Sequence, residues 1–322
     1  MKDELAVDAT ALEKSYGAVP ALAGVDVRMS KGCVFALLGP NGAGKTTAVR
    51  ILSTLIRADA GRARVAGFDV ITDRHAVRRR ISLTGQYAAV DELQTGEENL
   101  QMVGRLRGLC GAESRRRAID LLERFELAGA GRRRVGTYSG GMRRRLDLAM
   151  GLVGDPSVVF LDEPTTGLDV RSRREVWDAV GELVGYGASV LLTTQYLEEA
   201  DRLADRIGLL DGGRIVAEGS PEELKRRLAD QRLELTLTDG PAFAEIAARL
   251  GERAVHANPR ELRIGVETNG SGAHVRALLD ELDPDGSAVA QFAVHRATLD
   301  DVFLTLTGHT NTSRPEVETT NV

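Results

Sequence analysis

The spacing of apolar and polar positions changes several times along this chain. Residues 7–32 carry short alternating segments, such as Val25, Val27 and Met29, bounded by Gly17, Pro20, Gly24 and Gly32. A period of two between turn residues predicts antiparallel strands. Val34 to Leu38 is instead a continuous apolar run, as expected of a strand covered on both faces. From Thr47 to Ile56 the period turns helical, with Val49, Leu52, Leu55 and Ile56 on one face. A strand is expected over 64–68, an arginine-rich helix ending at Arg80, and another strand over 81–84. Residues from Thr95 to Gly154 read as helical. One face holds Leu100, Val103, Leu106 and Leu109; a second holds Ala118, Leu121, Leu122 and Phe125; a third holds Met142, Leu146, Leu148, Ala149 and Leu152.

Strand–helix alternation then returns. Apolar runs at 158–161 and 189–193 flank a helix over 170–184, and 207–217 reads as a hairpin turned at Gly212-Gly213. Ser220-Pro221-Glu222-Glu223 opens a helix, with proline first and acidic residues in the first turn. This pattern predicts an α/β domain over 9–230 with a helical insert at about 95–155. Beyond it, Leu233, Leu235 and Leu237 alternate with polar residues, as do Leu262, Ile264 and Val266. Helical stretches over 243–250, 275–282 and 299–306 and a strand over 290–294 complete a small αβ domain at 231–309. Residues 310–322 are polar and are expected to be disordered.

Composition narrows the field. No apolar run approaches the ~18 residues that span a bilayer. The start, Met1-Lys2-Asp3-Glu4, lacks an apolar signal segment, so a cytosolic protein is expected. Two cysteines, Cys33 and Cys110, leave no disulfide framework or cysteine-rich metal site. A net charge of −5 argues against a globally basic nucleic-acid binder. Only five of the 42 basic residues are lysines. The arginine clusters at 78–80, 115–117, 132–134 and 143–145 read as solvated faces, with contact to anionic lipid as the alternative. Lys45 is the only lysine between Lys31 and Lys225.

That lysine closes a motif. Gly39, Pro40, Asn41, Gly42, Ala43, Gly44, Lys45 and Thr46 fit the phosphate-binding pattern G-x-x-x-x-G-K-[ST], between a buried strand and a helix that begins at Thr47. Glycines let backbone N–H groups turn inward on phosphate oxygens, and the helix N-terminus adds its positive end. Lys45 is expected to reach the β- and γ-phosphates, and Thr46 to ligate Mg²⁺. Asp162 and Glu163 follow the apolar strand at 158–161, at the end where open α/β sheets bind ligands. Asp162 suits Mg²⁺, and Glu163 suits a general base on water. Ser139-Gly140-Gly141 opens a helix, either as an anion site or as a plain N-cap. Gln86 stands at the seam between sheet and insert, where it suits Mg²⁺ or water. Gly167-Leu168-Asp169 and Thr193-Thr194-Gln195 complete the set, and Tyr16 at a turn is the candidate base-stacking aromatic. Thr95-Gly96-Glu97-Glu98-Asn99 is either a coupling surface or an acidic first turn.

In this order the motifs resemble the nucleotide-binding subunit of an ABC transporter: Walker A at 39–46, Q-loop Gln86, signature 138–142, Walker B 158–162 with Glu163, and D-loop 167–169. The likeness implies a P-loop NTPase fold, a RecA-like core with an antiparallel β subdomain and a helical insert, plus the small C-terminal domain. It implies ATP as substrate, Mg²⁺ as cofactor, and catalysis by Glu163 and Gln195. Tyr16, residues 39–47, Gln86, Ser139, Gly140, Gly141 and Asp169 then serve the nucleotide. Two departures stand out. Tyr138 and Met142 frame the signature in place of leucine and glutamine, and Gln195 stands where the switch histidine is usual. Glutamine cannot carry the proton that histidine would. Both departures, with Thr84-Gly85-Gln86-Tyr87 and the ending Leu299-Asp300-Asp301-Val302-Phe303-Leu304, resemble the daunorubicin/doxorubicin-resistance ATP-binding proteins. That resemblance implies export of a hydrophobic drug through a separate membrane permease. It also implies a homodimer with shared ATP sites and a peripheral place on the cytoplasmic face of the membrane, with no nucleic-acid partner. A soluble, non-transport ABC ATPase acting on ribosomes or nucleic acid is the alternative.

Overall fold

A computed structural model describes residues 4–85, 89–226, 231–296 and 298–307. The chain divides into two units, Met1–Pro221 and Glu222–Val322. In the first, β1 (Leu5–Tyr16) and β2 (Val19–Ser30) form the antiparallel hairpin that the alternation predicts. β3 (Val34–Leu38) is buried at every position and leads through the glycine loop into α1 (Lys45–Leu52). α1 stops short of the expected Ile56. Thr54 takes a left-handed φ of 66°, and the N–H groups of Leu55 and Ile56 both return to the Arg50 carbonyl, so Leu55 faces solvent.

β4 (Ala60–Val65) pairs with β1, and β5 (Phe68–Asp69) pairs back on β4. The single strand expected over 64–68 is thus a hairpin. Ala66 and Gly67 both have positive φ, 50° and 83°, the combination that a tight hairpin turn demands. α2 (Arg74–Arg80) feeds β6 (Ile81–Thr84). The insert is α3 (Gly96–Leu106), α4 (Gly111–Arg124) and α5 (Gly140–Gly151). The faces expected on α4 and α5 are largely buried, but that of α3 is not: Leu106 is exposed. α3 instead meets α4 through Gly104, where a Cβ would fall 2.0 Å from the Ser114 hydroxyl.

β7 (Val158–Asp162), α6 (Val170–Gly185), β8 (Ser189–Thr194), α7 (Leu197–Leu203), β9 (Arg206–Asp211) and β10 (Arg214–Gly219) complete the core. The second sheet has the order β10-β9-β3-β8-β7-β6, with β9, β3, β8, β7 and β6 parallel. α1 lies between the two sheets. Its Ala48, Val49, Ile51 and Leu52 share one apolar cluster with Val7 and Val27 of the first sheet and Leu37, Phe160 and Leu191 of the second.

α8 (Pro221–Arg226) leads to the second unit: β11 (Gln231–Leu237), α9 (Gly240–Leu250), β12 (Ala254–Asn258), β13 (Arg263–Thr268), α10 (Gly272–Leu282), β14 (Val289–Arg296) and α11 (Leu299–Thr307). Its sheet is antiparallel in the order β12-β13-β11-β14, the split βαβ arrangement of ferredoxin-like domains. Leu233, Leu235 and Leu237 pack under Ile246 and Leu278. β12 escaped the pattern reading because every position on it is exposed or only half-buried.

Trp177 is the one tryptophan and is buried in the first unit, so its fluorescence reports that unit alone. Leu191→Ala opens a cavity in a fully buried strand and is expected to cost about 2–5 kcal/mol, read as a lower urea midpoint of the Trp177 signal.

Candidate functional site

Three neighbouring parallel strands end together. β8 lies between β3 and β7, with Leu38 opposite Thr194 and Asp162 opposite Thr193. The chain leaves β3 at Gly39, whose N–H donates to the Thr194 carbonyl at 3.2 Å. A side chain at Gly39 would meet the Leu210 carbonyl at 2.1 Å, and one at Gly44 would meet the Ala21 carbonyl at 2.3 Å. Gly44 also sits at φ 109°, as the residue capping α1. These contacts and angles require glycine and hold the loop curled around the Lys45 side chain. Lys45 is buried. Its ammonium donates to the Gly39 and Pro40 carbonyls at 2.8 and 3.0 Å and lies 3.3 Å from Glu163 Oε1. Asn41 and Gly42 are exposed, Ala43 is buried, and Pro40 and Thr47 are half-buried.

Across the loop, the Thr46 hydroxyl donates to Asp162 Oδ1 at 3.1 Å, and the Thr193 hydroxyl donates to the same oxygen at 2.6 Å. Thr193 Oγ1 also accepts the Glu163 N–H at 3.0 Å. Glu163 stands at φ 48°, a left-handed angle unusual for a residue with a side chain. Its Oε2 accepts the Thr166 hydroxyl at 3.2 Å. The site therefore pairs one buried cation with two buried carboxylates. Among the described residues no cluster of three or more His, Cys, Asp or Glu forms a metal cage. A hydroxyl and one carboxylate oxygen in contact are the hard donors that suit Mg²⁺, which takes few protein ligands and completes its shell with phosphate and water.

The other candidates stand apart from this cluster or complete its rim. Gln195 is half-buried directly after β8, beside the strand end that receives Gly39. Tyr16 is exposed at the end of β1, with the Lys14 ammonium 6.0 Å from its ring. Ser139 caps α5, its hydroxyl accepting the Met142 N–H at 3.1 Å. Ser139 and Gly140 are exposed. Gly141 is pressed against Ser172, where a Cβ would fall 3.0 Å from the hydroxyl. Asp169 caps α6, with Oδ1 taking the Ser172 N–H at 2.8 Å and Oδ2 its hydroxyl at 2.9 Å; those bonds hold its carboxyl below the ordinary carboxylate range. Gln86 lies outside the described residues; β6, before it in the chain, ends with Thr84 opposite Leu161.

Several readings of single residues change. Tyr138, the atypical start of the signature, is buried and donates its hydroxyl to the Ala130 carbonyl at 2.7 Å. In the stretch 95–99, Thr95 and Glu98 form a reciprocal capping box, while Gly96 and Asn99 are buried and leave only Glu98 exposed. Nor are all the arginine clusters solvated: Arg144 is buried, and the shielded side chain of Arg145 braces α5 to the Phe125 carbonyl, Glu126 and Glu175. Thr193, already grouped with Thr194 and Gln195 in the sequence, ties Asp162 to Glu163. Pattern reading missed Glu199 as a buried partner behind the site. It is fully buried on α7, and its Oε1 takes the Thr165 hydroxyl at 2.9 Å and the Trp177 N–H at 3.0 Å.

Comparison with known proteins agrees with this geometry. Residues 22–166 match the family described as ABC transporter, and residues 219–307 match the ATP-binding protein DrrA1-3-like, C-terminal domain. The chain is 52% identical over 310 residues to the daunorubicin resistance ATP-binding protein DrrA2 of Streptomyces coeruleorubidus, covering 95% of this chain and 96% of that one. It is 49% identical over 316 residues to the doxorubicin resistance ATP-binding protein DrrA of Mycobacterium tuberculosis, covering 95% and 94%. A crystal structure of a nucleotide-free ATP-binding cassette from an ABC transporter superposes with a TM-score of 0.63 at 25% identity, over 70% of this chain and 96% of that one.

Burial pushes the Glu199 carboxyl above its ordinary range, while Thr194, Thr165, Trp177 and the Arg173 charge pull the other way. With a raised native value the folded state binds more protons than the unfolded one, so this group's contribution to stability falls as pH rises above about 4.3. Glu199→Gln keeps the oxygen that accepts from Thr165 and Trp177 but removes the charge. Its thermal midpoint relative to the native chain is expected to be higher at pH 8 than at pH 5, measured by circular dichroism.

Proposed function

We infer the function from one premise: the chain belongs to the ATP-binding subunits of ABC transporters and to their daunorubicin/doxorubicin-resistance branch. It hydrolyses ATP as the energy-supplying subunit of an efflux system. The observation that carries this reading is the contact of Lys45, Thr46, Asp162 and Glu163 where β3, β8 and β7 end.

The roles we propose follow from that contact. N–H groups of residues 42–47 and the α1 N-terminus receive the phosphates. A phosphate oxygen at Lys45 takes the place that Glu163 Oε1 holds, so ATP binding frees Glu163 to orient and deprotonate a water. Thr46 and Asp162 hold Mg²⁺, with Gln86 as the further ligand that the family resemblance suggests. Mg²⁺, when bound, offsets the charge that develops on the β- and γ-phosphate oxygens. Thr193 keeps Asp162 and Glu163 in register. Gln195 hydrogen-bonds the γ-phosphate but carries no proton, which leaves the base role to Glu163. Tyr16, exposed on β1, stacks on the base.

Ser139 and Gly140 are exposed in our reading because the signature serves the ATP of a second copy of this chain, with Asp169 beside it at the shared face. Two such chains close over two nucleotides and work on a separate transmembrane permease, since no helix among the described residues is long and apolar enough to cross a membrane. The complex then sits on the cytoplasmic face, and the cargo is a hydrophobic drug of the anthracycline kind, as the relatives' names suggest for those proteins. The second unit, over about 231–309, is a separate module of the same subunit.

Glu163→Gln is expected to lower kcat at least about 100-fold with ATP binding retained, whereas Gln195→His keeps ATPase activity within about tenfold. Equal losses in the two variants would refute the assignment of the base. The partner is tested by co-expression: affinity-tagged chain should recover a multi-span membrane protein whose drug efflux ceases with Lys45→Ala. ATPase activity that responds to nucleic acid and finds no membrane partner would count against transport.

A further inference from the structure

The signature helix α5 carries a buried ion pair that the chemistry above does not use. Arg144 and Asp147 stand one turn apart, both buried, with Arg144 Nη1 3.2 Å from Asp147 Oδ2. Their remaining bonds leave the helix. Arg144 Nη1 donates to the Gly85 carbonyl at 2.7 Å, and Asp147 Oδ1 accepts the Ala89 N–H at 3.2 Å. Gly85 and Ala89 flank residues 86–88, the stretch that includes Gln86.

Two observations separate this pair from ordinary packing. The first is its cost. Arg144 Nε and Nη2 are buried with no hydrogen-bond partner among the described residues. Burial pulls the guanidinium toward neutrality, and the charges of Asp147, Glu199 and Asp162 push back. Two apolar side chains of similar volume would fill the space without that penalty. The second is redundancy. α5 is already fixed by buried Leu146, Leu148 and Ala149, and by Gly151, where a Cβ would fall 2.6 Å from the Ser82 hydroxyl of β6. The pair reaches beyond that anchor. What it adds is a grip on one carbonyl and one N–H, on either side of Gln86.

We propose that Arg144 and Asp147 are positioning residues that clasp both shoulders of the Gln86 segment to the helix bearing Ser139. The inference rests on the nucleotide roles given above for Gln86 and Ser139. Any turn of α5 that brings Ser139 to bear on ATP carries Gly85 and Ala89 with it. Arg144 suits the task because one guanidinium nitrogen, Nη1, serves the Gly85 carbonyl and the Asp147 carboxylate together.

The test uses the full chain. In Arg144→Met/Asp147→Leu no buried charge is left unpaired, so folding is expected to survive. Its melting point should stay within about 3 °C and its KM for ATP within about threefold, while kcat falls at least about tenfold. Hydrogen exchange at the Ala89 amide should quicken at least about tenfold. Asp147→Asn, which keeps an oxygen for the Ala89 N–H, should leave that amide protected and lower kcat about threefold. A double variant with native kcat overturns the clasp. So does one whose KM and melting point decline in step with kcat. Should the double variant fail to fold, native kcat in Asp147→Asn overturns it instead. A native chain that hydrolyses no ATP refutes the ATPase reading, and the exchange measurement still decides the clasp.

Discussion

A buried ammonium must find oxygen for its protons, and meeting that demand organises the first unit around Lys45. Two of its acceptors are carbonyls of its own loop, at Gly39 and Pro40; the third partner is Glu163, which directly follows a strand two places across the sheet. The loop carbonyls are available only because the chain curls tightly enough to aim them inward. That curl in turn needs glycine at 39 and 44, where neighbouring backbone leaves no room for a side chain. Glu163 is within reach only because β8 separates β7 from β3 by one strand and holds both in parallel register. Sheet order, loop shape and the charge at the centre are therefore one constraint seen at three scales.

Much of this was legible beforehand because the site is contiguous in sequence where it is contiguous in chemistry. Glycine loop, lysine and threonine lie in one run, and Asp162-Glu163 ends a strand that any hydropathy reading finds. Boundaries were less legible. Thr54 turns α1 off four residues early by adopting a left-handed backbone, which its side chain does not announce. The hairpin at Ala66-Gly67 hides for the same reason. β12 is solvent-facing along its length and carries no alternation to detect. Among site residues, Lys45, Thr46, Asp162, Glu163 and Thr193 lie in runs that the sequence marks out, but the bonds between them do not. The ties of Thr193 and the burial of Glu199 are recognisable only once β8 and α7 are seen beside β7 and α6, since their partners are distant in the chain.

The insert is held by a different economy from the core. Its apolar contacts lie mainly on the faces of α4 and α5, with Leu100 of α3 and Leu127 and Val135 between the helices, and polar bracing to main-chain carbonyls adds to them. Arg107 reaches the carbonyls of Arg78 and Ile81, Arg117 that of Leu152, Arg145 that of Phe125. Arginine is the residue for such bracing, because its planar fork serves two acceptors and keeps its charge when shielded. The excess of arginine over lysine thus has a structural use here, and the surface reading that clusters of like charge invite is incomplete.

The left-handed backbone of Glu163 has an evolutionary side. A residue with a side chain held at that angle costs on the order of 1 kcal/mol, and the Glu163 N–H, donated to the carbonyl and the hydroxyl of Thr193, is what keeps it there. Glycine or asparagine at this position would relax the strain, so the substitutions that make the fold most comfortable are also those that remove its carboxylate. Backbone comfort and an acid at this corner thus exclude each other at a single codon.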